Sequence, residues 1–156
     1  AREMVVKTAL EYLDSLAKEA EGDVALQNEL AAAYLRIGDV QGFPRQANLG
    51  HRDAALVSYR RSLELSERLR AKGQKDVALL RRLAETYGKA AEVARFMNKQ
   101  ADAKESYQKA LVVGEQLLDL DGKDEVGHHT VAMVYEGLGN LANLDGNNTT
   151  LGMEYL

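Results

Sequence analysis

Five groups of residues in this 156-residue chain have the types and spacings that chemistry uses. His51-Arg52-Asp53 has the form of a phosphoryl-transfer loop, in which the Asp takes a hydroxyl proton and an Asn about five residues later holds magnesium. Here Ser58 stands in that later place, and no glycine-rich phosphate loop or Asp-Phe-Gly accompanies the triplet, so Asp53 reads as the opening of a helix. Gly137-x-Gly139-x-x-Ala142 has a spacing that admits a pyrophosphate to a helix start, but only after a strand. These glycines follow helical periodicity instead and read as the end of a helix. Asp119, Asp121 and Asp124 around Gly122 offer calcium-type oxygens, yet the glycine comes too early and the closing Glu is absent. A helix stop followed by a cap explains them. His128 and His129 are adjacent, so on a helix they diverge by about 100° and cannot grip one metal. The basic run Arg60, Arg61, Arg68, Arg70 and Lys72 lacks interleaved aromatics and has Glu64 and Glu67 within helical pairing distance, the mark of a solvated face. No catalytic, cofactor-binding or metal-ligating residue is assigned, and the chain is read as not an enzyme.

The elements that would position such residues are all helical. An apolar fraction of 46% supports a core, and Ala, Leu, Glu, Lys and Arg with a single Pro favour helix nearly everywhere. The formal charge of −4 supplies no positive field, so neither nucleic acid nor direct membrane contact is expected. Cysteine is absent, which removes disulfides and thiolate chemistry but leaves the compartment open: cytoplasmic, or periplasmic if a membrane anchor precedes this segment in a parent chain. No apolar run approaches the roughly 18 residues of a membrane span. The pattern begins and ends partway through a unit, so 1–156 is expected to be a single domain cut from a larger protein.

Laid over itself, the chain repeats. Asp23-Val24-Ala25-Leu26 recurs as Asp76-Val77-Ala78-Leu79, and each leads through Leu30-Ala31 or Leu83-Ala84 to Tyr34 or Tyr87. A third copy runs from Asp124 through Val131-Ala132 to Tyr135, and the three tyrosines are expected to be equivalent. Leu10, Leu63 and Leu111 align, as do Leu16, Leu69 and Leu117. Ala55 with Tyr59, Ala103 with Tyr107 and Leu151 with Tyr155 share a four-residue spacing that places both side chains on one helix face. Gly22, Gly73 and Gly122 mark helix stops, and Asp23, Asp76 and Asp124 mark the caps that follow. The periodicity predicts helices over about 2–20, 24–38, 51–72, 76–98, 100–120 and 124–140, with a seventh starting near 147 and a surface loop over Val40 to Leu49.

Leu30-Ala31-x-x-Tyr34, Gly50 and Ala55-x-x-x-Tyr59 followed by Ser62-Leu63 resemble the tetratricopeptide repeat. Leu83-Ala84-x-x-Tyr87 with Ala103-x-x-x-Tyr107 and Ala110-Leu111 is a second match, and Val131-Ala132-x-x-Tyr135 with Gly139 a third. The usual closing Pro and early Trp are missing, and the units exceed the family's roughly 34 residues by about seven. Seven residues return side chains to within about 20° of the same face, so helices lengthen without losing their buried stripe. The resemblance implies an all-α solenoid of antiparallel helix pairs in a right-handed superhelix.

It also implies a function: a scaffold that binds a peptide or partner protein on the concave surface lined by the first helix of each pair. The positions so placed are Asn28, Glu29, Ala32 and Arg36, then Arg81, Arg82, Glu85 and Lys89, then His129, Thr130, Met133 and Glu136. Arg81, Arg82 and Lys89 against Glu85 read as a locally positive strip suited to an acidic or C-terminal peptide. Ala32 stands where the family's carboxylate clamp would place an Asn, so that clamp is not reproduced. Gly38-Asp39-Val40-Gln41-Gly42 through Ala47-Asn48-Leu49-Gly50 and Ala55-Leu56-x-x-Tyr59 resemble the repeat region downstream of the catalytic domain in some bacterial serine/threonine kinases, which implies an alternative role as a sensory or assembly segment. Uncovered repeat ends imply self-association.

Overall fold

The computed structural model describes residues 1–144, which form α1 (Arg2–Glu19), α2 (Val24–Gly42), α3 (Arg52–Ala71), α4 (Val77–Phe96), α5 (Gln100–Leu120) and α6 (Glu125–Leu144). No strand occurs among the described residues. The expected seventh helix near residue 147 and the Leu151–Tyr155 pair lie outside them.

Local chemistry sets the helix starts. Asp23 accepts a hydrogen bond from the Leu26 amide at 3.0 Å, Asp76 from Leu79 at 2.7 Å and Asp124 from Gly127 at 2.8 Å, three caps in one register. Each satisfies an amide that has no partner within its helix, worth about 1 kcal/mol. Before the first two caps the chain reverses through Gly22 at φ +85° and Gly73 at φ +95°, conformations that glycine tolerates best. Gly122 does not share this geometry; there the turn is made by Asp121 in extended conformation, and the His128 ring meets the Gly122 carbonyl at 2.7 Å.

Two helix ends differ from the sequence reading. Gly38 was expected to end α2 and Gly42 to punctuate a loop, but the helix runs through Gly38 and ends on Gly42, and each glycine permits a close contact. A Cβ at Gly42 would meet the Arg52 backbone at 2.8 Å. Gly137 and Gly139 likewise lie inside α6, not at its end, and a side chain at Gly137 would overlap the Tyr107 ring. The connecting loop is therefore shorter than expected, and it is pinned by Leu49 and His51 amides donating to the Val40 and Gln41 carbonyls at 2.9 and 2.8 Å.

Each helix packs on the next, and α4 also packs on both α2 and α6, whereas the backbones of α3 and α5 do not approach closely among the described residues. The result is two layers, with α2, α4 and α6 side by side in one. Between the layers lie Leu69, Leu79, Leu83, Tyr107, Val113 and Leu117, continuous with Val134 of α6. Each fully buried Leu or Val contributes roughly 1.5–3 kcal/mol. The repeat pairs Ala55/Tyr59 and Ala103/Tyr107 are all fully buried, as their shared spacing predicts. Leu69 and Leu117 are core, and Leu63 and Leu111 are partly buried against it, whereas Leu10 and Leu16, aligned with them, are both only partly buried and pack on a separate cluster around Tyr34. Val6 is the one buried residue of α1, and Met4, Val5 and Tyr12 face outward.

Tyr34 and Tyr87 share their surroundings: both are buried, and each donates to a carboxylate twenty residues earlier, Asp14 at 2.6 Å and Glu67 at 2.7 Å. Tyr135 departs from them at 37% exposed. The helices that carry Tyr34 and Tyr87 are each followed by another that packs on them, and no helix follows α6 among the described residues.

Candidate partner-binding groove

The layer of α2, α4 and α6 encloses an open groove of about 640 Å³. Val126, Ala132 and Met133 of α6 and Phe43 from the loop after α2 supply its apolar surface, with the buried Ala84 of α4 beneath them. On α6 the lining residues Glu125, His129, Ala132, Met133 and Glu136 fall at three- and four-residue steps, which places them on one helix face. Gly88 makes room for this face, since a side chain there would overlap the terminal methyl of Met133.

One wall is a polar network. Asp39, buried, accepts from the Tyr59 hydroxyl at 2.8 Å and from Lys89 Nζ at 2.7 Å. Lys89 also pairs with Glu85 at 3.0 Å and lies 5.0 Å from the centre of the Phe43 ring, a cation–π distance. Arg36 reaches Asp39 at 3.7 Å and Glu85 at 3.5 Å. Deeper in, Glu92 is 1% exposed and takes a two-pronged contact from Arg45, whose Nε and Nη2 donate to its two oxygens at 2.6 Å each. This pair fastens the loop to α4, and the Glu92 hydrogen bonds and charge raise the Arg45 pKa further. Burial, then the charge of Asp39 and the hydrogen bond to it, push the Tyr59 phenol well above its ordinary range, so it stays a donor.

Of the twelve positions the sequence placed on the concave surface, Glu85, Lys89, His129, Thr130, Met133 and Glu136 line this groove together. The other six do not, and Ala32 is simply exposed on α2. Arg36 is exposed beside it and joined to the network at Glu85, and Glu29 is exposed on α2. Asn28 binds the Val24 carbonyl at 3.0 Å and Gln74 at 3.3 Å, and accepts from Arg82 at 2.8 Å. Arg82 also donates to Ser66 at 3.0 Å, and its partial burial lowers its pKa. Arg81 is bound to the Asp124 cap at 2.7 Å.

The positive strip read from Arg81, Arg82 and Lys89 is accordingly corrected. Arg81 and Lys89 are paired with carboxylates, and Arg82 is turned away from the groove by its hydrogen bonds to Asn28 and Ser66, so the three do not form one strip facing a ligand. The groove itself carries two cations, Arg45 and Lys89, against four carboxylates, Glu85, Glu92, Glu125 and Glu136. Both cations are internally paired, while Glu125 and Glu136 have no ion-pair partner among the described residues.

Sequence reasoning missed Phe43, Arg45, Ala84, Glu92, Glu125, Val126 and Ala132 as lining. Phe43 and Arg45 flank Pro44 in a loop where no periodicity operates. Glu92, a lone charge within Ala90-Ala91-Glu92-Val93-Ala94, carried a legible signal, because a carboxylate in an apolar run must find a partner. The basic run on α3 divides: Arg70 pairs with Glu67 at 2.8 Å, and Arg61 pairs with Asp14 on α1 and lies over the Tyr34 ring. No cluster of His, Asp and Glu suited to a metal occurs among the described residues. No helix among them is long and apolar enough to cross a membrane. Comparison with protein-family models, with curated proteins and with solved structures finds no match to this chain.

Proposed function

We propose that this chain is a protein-interaction scaffold of tetratricopeptide type whose groove on α4 and α6 holds a peptide or an exposed segment of a partner protein. The observation that carries this reading is the groove: about 640 Å³, with an apolar floor and a rim of polar side chains, the form that ligand sites take. The wall is pre-organised, because Asp39, Lys89, Glu85, Arg45 and Glu92 fix one another and lose little freedom when a ligand arrives. The equivalence of Tyr34 with Tyr87 and of Tyr59 with Tyr107 supports the repeat assignment on which the concave surface depends.

The test is a titration of the chain against a randomised library of short peptides, comparing wild type with Ala132→Trp. Ala132 is exposed in the groove, so the indole fills the floor without entering the core. Peptides that bind wild type and fail to bind the variant support the reading. Binding that ignores the indole removes the groove from it.

A further inference from the structure

We infer that the occupant of this groove is an extended, positively charged peptide segment of another protein, with an apolar side chain seated on Met133 and Ala132 and a Lys or Arg toward each of Glu125 and Glu136. The inference rests on the reading of the groove as a binding surface and adds the chemistry of what enters it.

Charge decides the sign. A ligand meets only the groups that the protein has not already paired. Arg45 is consumed by Glu92, and Lys89 by Asp39 and Glu85. Glu125 and Glu136 remain, both exposed, both lining the groove, and without an ion-pair partner among the described residues. A carboxylate ligand entering here would face them, while the cations nearby, Arg45, Lys89 and Arg36, are each already held by carboxylates of the protein.

Spacing decides the form. Glu125 and Glu136 stand on one face of α6, about 16 Å apart at the usual rise per residue. An extended chain covers that distance in about five residues. Between the two carboxylates lie Ala132 and Met133, and Met is a pliable surface for an apolar anchor. The free volume fits a few side chains, too little for a whole helix about 10 Å across.

The chain's own residues fit poorly. Residues 145–156 carry Asp145 and Glu154 and no Lys or Arg, the same sign as the groove.

The test uses two labelled nine-residue peptides and reads fluorescence anisotropy. One has two lysines five positions apart with a leucine between them; the other replaces both lysines by glutamate. The basic peptide is expected to bind about tenfold tighter at low salt, the sum of two exposed charge pairs, with the difference shrinking as ionic strength rises. Glu125→Gln with Glu136→Gln should erase the difference, and Ala132→Trp should abolish binding. Equal or tighter binding of the acidic peptide, or a preference that survives the double Gln variant, overturns the basic-ligand inference while Ala132-dependent binding still upholds the groove. If no peptide in either form, or in a random library, binds in an Ala132-dependent way, the groove reading falls and the inference with it. An oligomer of the protein alone that Ala132→Trp dissolves would make a second copy the occupant and also overturn it.

Discussion

The ring of Tyr59 occupies the space that a side chain on Gly38 would need: a Cβ there would meet ring Cε1 at 2.5 Å. The ring is held from its far end as well, because its hydroxyl donates to Asp39 beside that glycine. Tyr107 of α5 likewise fills the space beside Gly137 of α6, although its hydroxyl accepts from Arg95 and is not tied to a neighbour of that glycine. In both pairs a buried Tyr on one helix packs into the notch a glycine leaves in its neighbour, so glycines that look like helix breaks are contact points.

Gly38→Ala should therefore destabilise the protein despite its better helix propensity. Alanine gains about 1 kcal/mol in a helix interior, while overpacking a filled core costs about 1–3 kcal/mol. With Tyr59 fully buried and hydrogen-bonded, the second effect wins, for a net loss of up to about 2 kcal/mol in urea denaturation. Gly88→Ala is the contrasting case, since it meets only the flexible end of Met133, and a neutral or slightly stabilised variant is expected.

Arg45→Ala leaves Glu92 buried without its partner. The guanidinium is 54% exposed, so solvent screens part of the interaction, and a loss of about 2 kcal/mol is expected. Adding Glu92→Leu should recover most of it. A double variant as unstable as Arg45→Ala would show that the arginine acts through its packing on the loop and not through Glu92.

Alkaline pH should unfold the protein by way of its tyrosines. Burial, then the hydrogen bond to Asp14, push the Tyr34 phenol up to about 12 from an ordinary 10.0. Burial raises Tyr59, Tyr87 and Tyr107 as well, with carboxylate partners adding to the effect in the first two. The unfolded chain releases these protons first, so the stability they confer is fully present below about pH 10 and falls as pH rises toward 12 and beyond. Urea midpoints measured over this range should decline steeply, and less so for Tyr34→Phe. The acid side has the opposite sign. Asp124, stabilised by the Gly127 amide and then by Arg81, titrates below its ordinary 3.8, and its contribution is lost as pH drops through that value and below.

Arg82→Glu should lower stability whether or not it alters binding. It abandons Asn28 and Ser66 and sets a half-buried carboxylate near Asp76. A fall in Tm of about 5 °C or more is expected by circular dichroism. An unchanged Tm would mean that Arg82 is free after all and that a positive strip exists.

What the sequence made legible follows from periodicity and capping. Asp23, Asp76 and Asp124 announced three helix starts because a side-chain acceptor before an apolar stripe has one common use. The inner stripe was legible for the same reason, and Glu85, Lys89, His129, Met133 and Glu136, which it groups, lie along one groove. Charge was not legible, because the sign of a groove depends on which side chains pair across helices. Arg81 meets Asp124 and Lys89 meets Asp39, 43 and 50 residues apart, and no local rule finds such partners. The interior glycines were misread because a glycine that ends a helix and one that admits a ring are the same letter.

The four methionines offer the decisive observation. With their methyl groups labelled by carbon-13, Met133 reports on the groove, Met4 on the outer face of α1 and Met97 on the end of α4. On titration with the basic nine-residue peptide, the Met133 signal should move in a saturable way while those of Met4 and Met97 stay in place. Saturable binding that shifts Met4 or Met97 and leaves Met133 unmoved would show that the partner sits elsewhere on the molecule.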